Sequence, residues 1–241
     1  MHKSSILRMS WFVDEYALKI NKSKIKILDV GSAAGDMGST VAGESYKALF
    51  DENRFHYTGL DVEEGPNVDV VLDSPYNWEK IDTESYDVVI SGQTLEHVEF
   101  FWVTVSEMAR VLKKDGLMCI IVPQKWGEHR YPVDCFRFFT DGMVAMARYV
   151  CLDILHAHTN CAPSPDDSKW CSTNVADSML VARKPYEGRT RHPDLLTYNS
   201  SQANHDELMT SLFTYIPPKQ SLVTTIKWLM INNRFYQYIK K

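Results

Sequence analysis

A buried strand that runs directly into a glycine turn is the feature that most constrains this chain. The run Ile25-Lys26-Ile27-Leu28-Asp29-Val30 is short, apolar and β-branched, and Gly31 ends it. These properties predict a central strand of a parallel sheet. Gly31 and Gly35 are separated by three small residues, so the backbone can approach a ligand closely there. Such a turn at the carboxyl end of a strand is where open α/β sheets bind nucleotide-like ligands.

Strand and helix patterns alternate over most of the chain. Short apolar and β-branched runs predict strands, and apolar residues at helical spacing predict helices. This alternation predicts an α/β fold with a parallel sheet and right-handed crossovers. The predicted strands are 25–30, 55–61, 68–72, 86–91, 117–123, 151–158 and 177–182. The predicted helices are 5–19, 36–50, 101–112 and 141–149, the last with Thr140 as its N-cap.

Composition and charge narrow the class of protein. The chain has 241 residues, of which 44% are hydrophobic and 24% charged, as in ordinary globular proteins. Its net charge of −5 disfavours a nucleic-acid partner. The sequence has no apolar run long enough to span a bilayer and no signal-peptide core at its start. Its five cysteines show no C-x-x-C spacing, and together these features predict a cytoplasmic protein with reduced thiols.

Four stretches resemble motifs of class I S-adenosylmethionine (SAM)-dependent methyltransferases of the type 11-like kind, and they occur in the order in which that family has them. They are Asp29-x-Gly31-x3-Gly35, the strand ending in Asp61, Leu95-Glu96-His97-Val98, and residues 108–117. The resemblance implies a Rossmann-like, mostly parallel seven-stranded sheet with an antiparallel last strand and helices on both faces. It also implies SAM as the cofactor and a methyltransferase domain over 1–184, with 1–22 as an N-terminal helix.

The cofactor site follows from this resemblance and from the chemistry of the strand ends. A carboxylate at the end of the second strand can accept two hydrogen bonds from ribose hydroxyls, which is the role expected of Asp61. Residues after the third strand are expected near the adenine edge. The predicted cofactor-binding residues are Asp29, Gly31, Ser32, Gly35, Asp61, Val62, Asp73, Ser74 and Gln93.

Ionisable residues after the fourth and fifth strands are candidates for handling the acceptor. His97 is either a general base or a packing residue. Asp134 could orient the imidazole of His129 so that His129 acts as a general base. Asp134 could equally form a salt bridge with a nearby arginine. Arginines hold anions through bidentate contacts. The predicted catalytic residues are His97, His129 and Asp134, and the predicted substrate-binding residues are Arg130, Tyr131 and Arg137.

The acceptor is predicted from a second resemblance. The stretch from Tyr131 to Phe138 is similar to a loop of bacterial methyltransferases associated with surface-glycan pathways. It implies O-methylation of a sugar or polysaccharide precursor, with a small-molecule substrate such as a nucleotide-sugar. An N-methyltransferase acting on a small amine and a non-catalytic SAM-fold binding module remain open. A NAD-linked oxidoreductase is disfavoured because Ala33 stands where a dinucleotide turn has its middle glycine.

Two further expectations concern metals and the C-terminal part. His156, His158, Cys161 and Cys171 have ligand-type side chains, but their spacing matches no zinc motif, so no metal site is predicted. Residues 185–241 are predicted to form a polar linker followed by a helical extension. Its amphipathic helix would pack on the domain or on a second subunit as a homodimer, or would lie on a membrane surface.

Overall fold

A seven-stranded sheet forms the centre of the computed structural model, which describes residues 3–33, 45–159 and 176–186. The strand order is β3-β2-β1-β4-β5-β7-β6. The strands are β1 (Ile25–Val30), β2 (Phe55–Asp61), β3 (Val70–Val71), β4 (Tyr86–Gly92), β5 (Leu112–Lys125), β6 (Asp153–Thr159) and β7 (Ala176–Arg183). The α-helices are α1 (Lys3–Glu15), α2 (Phe101–Val111) and α3 (Thr140–Tyr149), and the short 3-10 helices are Ala17–Lys19, Tyr46–Leu49 and Leu95–His97.

The directions of the strands confirm the predicted α/β fold. β1 pairs in parallel with β2 and β4, and β4 pairs in parallel with β5. Only β7 is reversed among the described strands, and it pairs antiparallel with β5 and β6. The carboxyl ends of β1, β2 and β4 therefore lie at the same edge of the sheet. Loops at that edge of an open α/β sheet form its ligand site.

Helices cover both faces of the sheet, as predicted. Met9 and Phe12 of α1 are buried in a cluster with Ile25 and Ile27 of β1. Apolar residues of α2 and α3 are buried in a second cluster on the opposite face of the sheet. The strand residues of this second cluster alternate along each strand with those of the first cluster. These clusters bury most of β1, β4 and β5 on both faces, which explains the continuous apolar runs of these strands. No described helix has the length and apolar character needed to cross a membrane.

The structure corrects three predicted boundaries. β5 begins at Leu112, directly after α2, whereas the predicted strand begins at Leu117. β3 is only two residues long. Thr140 is the first residue of α3 and not its N-cap, because Phe139 occupies that position and the Thr140 hydroxyl bonds Thr159 Oγ1 at 2.9 Å. The predicted helix over 36–50 and the extension over 185–241 lie largely outside the described residues.

Candidate active site

The glycine turn after β1 has the geometry that its sequence predicts. Gly31 has a φ of +78°, a value that side-chain-bearing residues rarely adopt. A Cβ at this position would also collide with the side chain of Thr94, which follows β4. The Gly31 amide donates to Leu60 O at 2.8 Å, so the turn is joined to the end of β2. Glycine is therefore required here both by backbone conformation and by the close approach of Thr94.

Asp61 holds this turn from the neighbouring strand. Its Oδ2 accepts a hydrogen bond from the Ala33 amide at 2.9 Å, and its Oδ1 accepts one from the Val62 amide at 2.7 Å. The Ser32 hydroxyl donates to Asn67 O at 3.2 Å. The structure thus brings Gly31, Ser32, Asp61 and Val62 together at one edge of the sheet. Gly35 lies outside the described residues.

Asp29 is buried beneath the turn. The Tyr57 hydroxyl donates a hydrogen bond to Asp29 Oδ2. Burial raises the pKa of Asp29 to about 7, although the Tyr57 hydrogen bond opposes this shift. Asp29 is therefore a supporting residue below the turn, and its carboxyl is largely protonated at mildly acidic pH.

The remaining predicted cofactor residues, Asp73, Ser74 and Gln93, contact residues outside the glycine turn. The Asp73 side chain is 96% exposed and lies 3.9 Å from Lys80 Nζ. Ser74 Oγ accepts a hydrogen bond from the Tyr76 amide at 3.2 Å. Gln93 has a φ of 58°, and its side-chain amide donates to Asp177 Oδ1 at 3.2 Å. Asp73 and Ser74 follow β3 on the Asp61 side of the sheet, where Leu72 N donates to Asp61 O at 2.8 Å.

A second group of side chains lies beyond Thr94, in the 3-10 helix Leu95–His97. The segment between β5 and α3, residues 126–139 (the β5–α3 loop), packs on this helix. Cys135 N donates to Glu96 O at 2.7 Å, and His97 Nδ1 lies 2.6 Å from Val133 O. The ring centroids of His97 and His129 are 4.8 Å apart. Because Thr94 also lies against Gly31, this group adjoins the glycine turn.

The two histidines have the same tautomer when neutral. A carbonyl oxygen only accepts hydrogen bonds, so the Nδ1 of His97 that faces Val133 O must carry its proton. His129 Nδ1 lies 3.0 Å from Gly127 O, with the same consequence. Both rings therefore keep the Nε2 lone pair. Burial lowers the pKa of His97, which favours its neutral form.

Glu96 is a residue of this group that the sequence analysis did not select. Its side chain is fully buried, and neither carboxyl oxygen accepts a hydrogen bond from another described residue. Oε1 lies 3.7 Å from His97 Nε2. Burial raises the pKa of Glu96 to about 8. An acidic residue directly after an apolar strand was the available signal, but sequence alone does not show that the side chain turns inward.

One ligand-type atom from each of Glu96, His97 and His129 lies within 4.8 Å of the others. We name these three residues the Glu-His-His cluster. Tyr131 lies beside it, with its ring centroid 6.0 Å from that of His97 and its surface 47% exposed. The cluster is thus covered on one side by the protein core and flanked by a half-exposed aromatic ring on the other.

Asp134 and Arg137 pair with each other in the β5–α3 loop. Arg137 donates to both Asp134 oxygens, at 2.5 and 2.7 Å, and this interaction holds the pKa of Asp134 well below its usual range. Asp134 Oδ2 also accepts the His129 amide at 2.8 Å. Both side chains are thereby engaged in holding the loop. Arg130 is exposed and pairs with Glu128 at 2.9 Å.

The histidines considered as metal ligands in the sequence lie on β6, at an edge of the sheet. His156 Nε2 and His158 Nδ1 are 2.5 Å apart, and the His156 ring packs on Trp11. Burial lowers their pKa values to about 4 and about 3, respectively. Cys161 and Cys171 lie outside the described residues.

Comparisons with known proteins agree with this architecture. Residues 5–145, more than half of the chain, match a family model described as a methyltransferase domain. A non-reducing polyketide synthase from Penicillium brasilianum is 21% identical over 145 residues, and the match covers 50% of this chain and 5% of that protein. The chain therefore spans only a small part of the length of this relative.

Two solved structures share the fold. The 1,6-didemethyltoxoflavin-N1-methyltransferase from Burkholderia thailandensis was crystallised with 1,6-didemethyltoxoflavin and S-adenosylhomocysteine. It has a TM-score of 0.53 and 16% identity, covering 75% of this chain and 78% of that chain. The [4+2]-cyclase SpnF also has a TM-score of 0.53, with 15% identity over 75% of this chain and 80% of its own. At these identities the likeness shows the fold and not the reaction.

Proposed function

Since the chain belongs to the family of methyltransferase domains, we propose that it transfers the methyl group of SAM to a hydroxyl of a small-molecule acceptor. The transfer forms a bond from the acceptor oxygen to the methyl carbon and breaks the bond from that carbon to sulfur, whose electron pair returns to sulfur. One proton leaves the hydroxyl. The products are a methyl ether, S-adenosylhomocysteine and H⁺, so the step balances without another reactant.

The residues at the carboxyl edge of the sheet fit SAM. When bound, SAM supplies an electrophilic methyl group, and the protein supplies position and charge control. The turn at Gly31 is fixed by its amide hydrogen bond to Leu60 O and by the close packing of Thr94, and it lies at the edge of the sheet where open α/β sheets bind nucleotide-like ligands. Asp61 would accept hydrogen bonds from ribose hydroxyls, and its two contacts to the Ala33 and Val62 amides orient its carboxylate.

The Glu-His-His cluster is the observation that favours a hydroxyl acceptor. An amine needs only to arrive deprotonated, whereas a hydroxyl is activated by a base or by a metal ion that lowers its pKa. His97 and His129 both keep an Nε2 lone pair, as required of a base or a ligand. The cluster adjoins the glycine turn through Thr94, where the acceptor must meet the methyl group.

We assign the acceptor to the sugar and polysaccharide-precursor class. The half-exposed ring of Tyr131 beside His97 offers an aromatic surface for the apolar face of a sugar ring. Arg130 is exposed beside it and would attract the phosphates of a nucleotide-sugar. Arg137 contributes by holding the loop through Asp134.

A labelled-methyl assay tests this proposal. The protein is incubated with SAM carrying a labelled methyl group and, separately, with nucleotide-sugars, free sugars and small amines. We expect label on a hydroxyl of a sugar-containing acceptor and S-adenosylhomocysteine in equal amount. Label on amines alone would contradict the hydroxyl assignment, and no transfer to any sugar-containing acceptor would contradict the assigned acceptor class.

A further inference from the structure

We propose that the Glu-His-His cluster of Glu96, His97 and His129 binds a divalent first-row transition-metal ion. The three side chains converge from two segments, the 3-10 helix after β4 and the β5–α3 loop. One ligand-type atom from each lies within 4.8 Å of the other two, so an ion between them would need only small side-chain adjustments. This inference rests on the proposed function, because it gives the ion a place beside the acceptor hydroxyl.

The hydrogen bonds around both histidines are those expected of metal ligands. A metal-binding histidine usually donates its other ring N–H to a carbonyl or carboxylate, which fixes the tautomer and the ring orientation. His97 Nδ1 faces Val133 O at 2.6 Å, and His129 Nδ1 faces Gly127 O at 3.0 Å. Each ring thus presents Nε2 as the ligand atom. His129 is further positioned by Asp134, which accepts its backbone amide.

Glu96 supplies the independent observation. A buried polar group without a hydrogen bond costs on the order of 1–3 kcal/mol. Both carboxyl oxygens of Glu96 are buried and accept no hydrogen bond from another residue of the described part of the chain. The nearby cationic side chain Arg137 is engaged by both oxygens of Asp134. A metal ion at the cluster would satisfy this carboxylate and explain why an acidic residue occupies a buried position.

The donor set selects the kind of ion. Two imidazoles and one carboxylate suit zinc, iron, cobalt or nickel, whereas Mg²⁺ prefers oxygen ligands alone. Three protein ligands leave at least one open coordination position, as in catalytic zinc sites. An acceptor hydroxyl in that position would lose its proton more readily. The His129 side chain is 33% exposed, which gives the ion and the acceptor a route from solvent.

Calorimetric titration of untagged, chelator-treated protein with ZnCl₂ tests the site, and Co²⁺ absorption bands report the ligands. We expect one equivalent of zinc to bind, unaffected by millimolar Mg²⁺. Glu96→Gln and His129→Gln each remove one ligand, and we expect zinc affinity to fall at least ~100-fold in each, since one ligand bond of three is lost. His56→Gln, an exposed histidine of β2, is the matched control and should bind zinc like the wild type.

The outcomes separate this inference from the proposed function. S-adenosylhomocysteine is titrated into the same samples with and without chelator. If it binds while no zinc binds, or if zinc affinity is unchanged in both Glu96→Gln and His129→Gln, the metal site is wrong and the methyltransferase assignment stands. His129 lies near the surface, so its variant remains informative if Glu96→Gln fails to fold.

Discussion

His97 and Glu96 are adjacent in sequence but have different surroundings, and this difference defines the chemistry of the site. The Nδ1 of His97 is hydrogen-bonded to the carbonyl of Val133 and its side chain is partly exposed, whereas Glu96 is fully buried. The sequence indicates His97 because a histidine after the fourth strand is a recognisable candidate. The sequence does not indicate Glu96, because its role depends on burial. That burial arises only when the 3-10 helix Leu95–His97 packs against the β5–α3 loop, which is distant in sequence.

We predict that His97→Ala lowers turnover by roughly 10²–10⁴-fold, because it removes the nitrogen that acts on the acceptor hydroxyl as base or metal ligand. S-adenosylhomocysteine affinity should change little, since His97 Nδ1 is held by Val133 O of the β5–α3 loop and not by the glycine turn. Turnover and calorimetric affinity are measured on the same preparation, with His56→Gln as control. Wild-type turnover in His97→Ala would remove this residue from the mechanism.

We predict that Asp61→Ala weakens S-adenosylhomocysteine binding by about 10–100-fold, equivalent to about 1–3 kcal/mol for lost hydrogen bonds to a charged group. The substitution also frees the Ala33 and Val62 amides that Asp61 holds. Asp61→Asn keeps one acceptor oxygen and should lie between the two. Equal affinities in all three proteins, measured by calorimetry, would show that Asp61 does not bind the cofactor.

At the scale of elements, the site depends on three connections, those that follow β1, β4 and β5. The first was predicted from sequence because Gly31 is a local signal of a tight turn. The β5–α3 loop was predicted to carry function, but its packing was not, because Cys135 and Val133 bond residues almost forty positions earlier. Long-range contacts of this kind have no local pattern. The same reason explains why Thr140, a plausible cap, bonds Thr159 on β6.

We predict that Gly31→Ala destabilises the fold by about 1–3 kcal/mol and sharply weakens S-adenosylhomocysteine binding, because it combines a positive φ with a collision at Thr94. Gly142→Ala is the matched control. Beyond its chain neighbours and the backbone of its own helix, its Cβ would meet no described atom within 4 Å, and alanine favours helix α3 by up to about 1 kcal/mol. Chemical denaturation measures both effects, and equal stability of the two variants would contradict this account of the turn.

At the scale of the whole molecule, the sheet carries two buried carboxyl groups with opposite pKa shifts. Burial raises the pKa of Asp29 to about 7. Burial alone would also raise the pKa of Asp87, but hydrogen bonds from Lys22, the Lys26 amide and Lys113 lower it below its usual value. Asp29 and Asp87 lie near opposite ends of the neighbouring strands β1 and β4. Both strands were predicted from the sequence, whereas the hydrogen-bond partners of the two carboxyl groups were not.

We predict opposite pH dependences when each group is neutralised. The protonated Asp29 stabilises the fold fully only below pH 4, and this stability is lost as the pH rises to about 7. The free energy of unfolding of Asp29→Asn should therefore rise relative to that of the wild type by about a few kcal/mol over this interval. Asp87 stabilises the fold fully above about pH 4, and this stability is lost as the pH falls below that value toward its lowered pKa. The stability that Asp87→Asn loses relative to the wild type should therefore be constant above about pH 4 and should shrink below it. Denaturation from about pH 3 to pH 8 measures both differences. Parallel curves for the two variants would contradict the assigned shifts.

Calorimetric titration of the purified protein with S-adenosylhomocysteine tests the central claim most directly. If the edge of the sheet between Gly31 and Asp61 is a methyl-donor site, we expect saturable binding of one equivalent that Asp61→Ala weakens, and no heat from NADH. No binding of S-adenosylhomocysteine, or saturable binding of NADH in its place, would contradict the assignment of this site.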